Sequence, residues 1–78
     1  MPHLILKVAA GWTDAQKTSV AEALTKVIED KLGYKPDLIS VAVEDIPEGT
    51  WKHRVYIPEI ACHPELIFKK PGYHYDLP

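Results

Sequence analysis

Between residues 4 and 44 the hydrophobic period changes from two to about 3.6 and back to two, and few folds satisfy that order. In Met1-Pro2-His3-Leu4-Ile5-Leu6-Lys7-Val8, Leu4, Leu6 and Val8 fall on one face and Ile5 on the other, the alternation of a strand. Ala9-Ala10-Gly11-Trp12 breaks it, and Thr13-Asp14-Ala15-Gln16 has the Thr-x-x-Gln spacing of a capping box. Val20, Leu24, Val27 and Ile28 then recur at helical spacing, with Ala21, Ala23 and Leu32 beside them and Glu22, Lys26, Glu29 and Asp30 opposite. Glu22 and Lys26 stand in the favourable i to i+4 order, and Gly33 followed by Pro36 stops the helix. Leu38 to Glu44 alternates again, with Ile39, Val41 and Val43 on one face and Ser40, Ala42 and Glu44 on the other.

Strand, long helix and strand make a right-handed βαβ unit with parallel strands. Parallel sheets are normally covered on both faces, and one helix covers one face only, so a second subunit is expected on the other. Length argues the same way. Seventy-eight residues form one domain, residues 1–78, whose core supplies no more than about 3 to 5 kcal/mol. A lone Cys62 cannot form an internal disulfide, and oligomerisation, at least to a dimer, is the remaining common remedy.

Beyond Ile46 the pattern weakens, because Pro47, Pro58, Pro64 and Pro71 permit only short elements. The sequence predicts a turn at Pro47-Glu48-Gly49, a helical piece from about Trp51 to Tyr56, and another from Pro64 to Lys70, where Lys69 and Lys70 would meet the negative end of the dipole. The tail, with Tyr73 and Tyr75, is expected to dock on a neighbouring surface. The fold class is α+β.

Nine basic and eleven acidic residues, spread along the chain, give a formal charge of −2 and no basic stripe for nucleic acid phosphates. No apolar run approaches the roughly 20 residues of a membrane span, and the N-terminus lacks the regions of a signal peptide. A cytoplasmic protein with a reduced Cys62 is expected, with neither nucleic acid nor membrane as partner.

Pro2 carries the chemical interest. If Met1 is cleaved, its nitrogen changes from an amide without a usable lone pair into a secondary amine with one, held on a strand rather than on a frayed tail. A proline there can also simply begin a strand. His3, His53, His63 and His74 show no HxH, HxxxH or HExxH spacing, so no metal site is expected. Cys62 and His63 are adjacent in sequence, a placement that seldom lets a thiol face its base, and a small structural thiol is the stronger reading. Trp12, Trp51, Tyr56, Phe68, Tyr73 and Tyr75 can line an aromatic pocket or fill gaps in a small core or interface.

Pro2 opening a strand, Gly11-Trp12-Thr13-Asp14-Ala15-Gln16-Lys17 opening a helix, Ser40-Val41-Ala42-Val43 in a second strand, and Trp51 after an acidic turn follow one another in an order that resembles the 4-oxalocrotonate tautomerase family. The closing Lys69-Lys70-Pro71-Gly72-Tyr73 is similar to the dimeric branch related to bacterial phenylenolpyruvate-type tautomerases. The resemblance implies the β-α-β tautomerase fold, its sheet completed by a second subunit, and cofactor-free keto-enol chemistry. It makes Pro2 the general acid-base and Trp51 the aromatic residue that keeps the pocket apolar. That role is physically coherent, since an α-amino group titrates near ~8 and an apolar wall disfavours its charged form.

Two departures bear on the substrate. Hexameric members carry an arginine where Trp12 stands and another where Ala42 stands, so both cations that would grip a dicarboxylate are missing. The resemblance then favours a smaller or more aromatic 2-oxo acid such as phenylpyruvate, its ring against Trp12 and Trp51, its carboxylate met by Arg54, Lys7 or a lysine of the second subunit. Two alternatives stay open. One is a related hydratase or dehalogenase that keeps Pro2 protonated; the other is a ligand-binding or assembly module that keeps the fold without the chemistry.

Overall fold

A computed structural model describes residues 1–77 of the chain. It separates into two compact units, Met1–Asp45 and Ile46–Pro78.

The first unit is the βαβ motif. Strand β1 spans His3–Ala9, helix α1 Asp14–Leu32, and strand β2 Ser40–Ile46, whose last residue belongs to the second unit. The strands are parallel neighbours in a two-stranded sheet. Their register follows from two ties that advance together. Ser40 N donates to the Pro2 carbonyl at 3.2 Å where both strands begin, and Lys7 Nζ lies 3.9 Å from a Glu44 carboxylate oxygen further along.

Helix α1 starts where the capping box places it. Thr13 accepts from Gln16 N through its hydroxyl (3.1 Å), and the Gln16 side chain accepts from Thr13 N (2.9 Å), so two donors of the first turn are satisfied reciprocally. It ends at Gly33, whose φ of 75° lies in the left-handed region that a side chain disfavours. Replacing Thr13 by Ala should therefore cost about 1 kcal/mol. The expected fall in Tm by circular dichroism is about 4 to 8 °C for a domain of this size.

Ala21, Leu24, Thr25 and Ile28 form the half-buried face of α1, and no residue of the helix is fully buried. Val20 and Val27, counted in that face from their spacing, lie on its flank instead, Val27 at 51 % exposure. Successive steps of 100° put them about a quarter-turn from the centre of that face. Strand β2 begins two residues later than the hydrophobic alternation suggests. Pro36 opens a single 3-10 turn, Pro36–Leu38, in which Ile39 N donates to the Pro36 carbonyl, and the chain extends only after that bond.

The second unit holds both fully buried hydrophobic residues among those described, Ile46 (2 % exposed) and Val55 (5 %). Its main element is a π-helix, Lys52–Ala61, which runs through Pro58 where the sequence suggested a stop near Tyr56. A proline in an α-helix removes an N–H and presses its ring on the carbonyl four residues back. The wider turn, visible in Cys62 N donating to Ile57 O at 3.1 Å, relieves that conflict. The second helical piece shrinks to one 3-10 turn, Pro64–Leu66, so Lys69 and Lys70 cap no helix. The tail docks by its rings: Tyr73 and Tyr75 pack on Tyr56 with centroids 5.8 and 5.0 Å away.

Among the described residues no helix is long and apolar enough to cross a membrane.

Candidate active site

Pro2 stands immediately before β1, half-buried, and its carbonyl is pinned by Ser40 N. A second tie secures the same corner, because His3 Nδ1 and Ser40 Oγ are hydrogen-bonded at 2.6 Å. A proline nitrogen donates nothing to a sheet, so fixing this residue through its carbonyl leaves no hydrogen bond at its nitrogen to break when Met1 is removed. Met1 is almost fully exposed.

Further along β1, Leu6, Val8 and Val43 from the strands and Gln16, Lys17 and Val20 from α1 enclose a groove of about 190 Å³, with Trp12 against it. Trp12 is 56 % exposed and follows Gly11, whose φ of 129° turns the chain out of the strand. The groove's walls are aliphatic and its polar rim is the Lys17 to Asp45 ion pair, 2.5 Å. Such a surface accepts a flat apolar group and places an ammonium, paired with a carboxylate, beside it.

The structure does not bring Pro2 and Trp12 together in one chain. The groove begins at Leu6, four residues along the strand from Pro2, about 13 Å at the rise of a parallel strand. Trp51 and Arg54 belong to the second unit. Trp51 Nε1–H donates to the Tyr73 hydroxyl at 2.8 Å, which fixes the indole, and Arg54 lies exposed on the π-helix one turn beyond it. Lys7 and Glu44 face each other on the sheet side opposite α1, the side where Ala42 falls by alternation. Among the described residues no group of three or more His, Cys, Asp and Glu side chains comes together to hold a metal, and Cys62 is exposed.

Sequence reasoning missed Gln16 and Lys17 as groove residues. Gln16 was absorbed by its capping role, yet Trp12, Gln16 and Val20 recur every four residues, the signal of one shared side.

Residues 2–54 match a family model described as tautomerase enzyme. The chain belongs to the tautomerase family. A tautomerase shifts a proton within one molecule, so the protein is an isomerase. Its curated relatives include a probable tautomerase of Xylella fastidiosa, 41 % identical over 94 % of this chain and 89 % of that one. Another is a tautomerase PptA of Pectobacterium carotovorum, 37 % identical over 96 % of this chain and all of that one. Among solved tautomerases, a structure of the 4-oxalocrotonate tautomerase isozymes from Methylibium petroleiphilum superposes with a TM-score of 0.62 at 26 % identity. That match covers 64 % of this chain and 81 % of the other.

Proposed function

We propose that this tautomerase interconverts the enol and keto forms of a 2-oxo acid such as phenylpyruvate without a cofactor, using Pro2 as its general acid-base once Met1 is removed. The observation that carries the reading is the double tie at Ser40, which holds the start of the strand at Pro2 and His3 without using the Pro2 nitrogen. One basic nitrogen suffices for the reaction. It takes the enol proton from oxygen and returns a proton to the neighbouring carbon, so the neutral amine is regenerated each cycle.

The groove at Trp12 is the proposed seat of the aryl ring, with Lys17, Lys7 or Arg54 as the cation that meets the carboxylate. Trp51 keeps the apolar role that the family resemblance gives it. Because Pro2 and Trp12 stand at opposite ends of β1, a substrate touching both does so across two chains. The half-covered sheet supplies the reason for assembly, since Ile5, 58 % exposed, lies on the face without a helix. A homodimer is the proposed assembly. Sedimentation of untagged protein at micromolar concentration should give twice the chain mass, and a monomer there would count against both the dimer and the shared site.

The direct test is phenylenolpyruvate ketonisation by protein whose intact mass shows that Met1 is gone. Turnover that an amine-directed reagent abolishes supports the reading. No turnover, together with halide release from a haloacrylate, would make the protein a dehalogenase; neither activity would leave ligand binding as its task.

A further inference from the structure

The second unit contains a hollow of about 240 Å³, lined by Tyr56, Ile60, Pro64, Ile67, Lys70 and Tyr73 among others, whose interior the tautomerase reading leaves without a role although Tyr73 also holds the Trp51 indole. Its walls are aliphatic and aromatic, and two groups make it more than an apolar dent. Lys70 is exposed and makes no ion pair or hydrogen bond among the described residues, and no carboxylate lines the hollow with it. Tyr73 is the other. An indole N–H can only donate, so the bond from Trp51 makes the Tyr73 oxygen an acceptor and leaves its own proton to give. Among the described residues nothing accepts that proton.

We propose that this hollow is a second binding site, for a small aryl monocarboxylate whose ring lies among the aliphatic and tyrosine side chains and whose charge meets Lys70 and the Tyr73 hydroxyl. One ammonium and one hydroxyl match a single negative charge, whereas a phosphate dianion would find too few donors. The aromatic walls favour a flat ring, and Tyr56 is already braced by the two tail tyrosines, so little order remains to be imposed on binding.

Phenylacetate is a suitable probe because it has the ring and the charge but no 2-oxo group to tautomerise. Titrated into the ¹⁵N-labelled oligomer, it should give saturable shifts at the amides of Tyr56, Ile60, Ile67, Lys70 and Tyr73. Lys70→Gln should weaken that binding about tenfold, the loss of one charge-assisted hydrogen bond, and Lys70→Arg should restore most of it. The wild-type protein offers a check free of folding effects, since uncharged phenylacetamide should bind at least tenfold more weakly than phenylacetate. Shifts confined to His3, Leu6, Val8 and Trp12, equal affinity for acid and amide, or indifference to Lys70→Gln would each overturn the proposal. Protein whose Pro2 is blocked should bind phenylacetate here unchanged, so the second site and the tautomerase reading stand or fall separately.

Discussion

Inserting one leucine between Met1 and Pro2 should lower kcat for phenylenolpyruvate ketonisation by about 10² to 10⁴-fold, the usual contribution of a positioned acid-base group. Whether or not processing removes Met1, the Pro2 nitrogen stays acylated and keeps no lone pair for a proton. The insertion is mild structurally. The Pro2 carbonyl still accepts from Ser40 N, and no hydrogen bond of Pro2 is lost because an internal proline has no N–H to give. Melting temperature and far-ultraviolet circular dichroism should therefore match the parent, and KM should change far less than kcat, because the missing group acts on the proton in transit. A kcat within threefold of the parent, with the intact mass confirming the insertion, would remove Pro2 from the mechanism.

How far such a site can be read from sequence depends on whether the cause is local. Thr13 and Gln16 cap a helix by bonds three residues apart, and Gly33 ends it by its own φ, so both ends of α1 are legible residue by residue. Alternation in β1 and β2 reveals which side chains share a face, and the side-chain ties of His3 and Lys7 to Ser40 and Glu44 obey it. Local rules give less where two of them compete. Pro36 delays β2 by a turn, and Pro58, normally a stop, is carried inside a widened helix. What no local rule supplies is the meeting of distant residues. Trp51 and Tyr73 are 22 positions apart, and Lys17 reaches Asp45 across 28. The two hollows arise from such meetings, and only the aromatic content of the chain hinted at them.

The second large effect concerns stability. Ile46→Ala should destabilise the protein by about 2 to 5 kcal/mol, because a deleted core side chain loses its transfer energy and leaves a cavity that relaxes only in part. A domain this short holds itself together by no more than about 3 to 5 kcal/mol, so a loss of that size leaves a large unfolded fraction in buffer. Few sites can compensate: of the described hydrophobic residues only Ile46 and Val55 are fully buried, while Ile5 and Val27 stay more than half exposed in the single chain. The comparison with Ile5→Ala separates the chain's own core from burial by a partner. Loss at Ile46 acts within the chain and should persist in urea melts at every protein concentration. Loss at Ile5 should appear as a melt that shifts with concentration, since what it weakens is the association. If Ile46→Ala melts within 2 °C of the parent, most of the stabilising burial lies between subunits rather than within the chain.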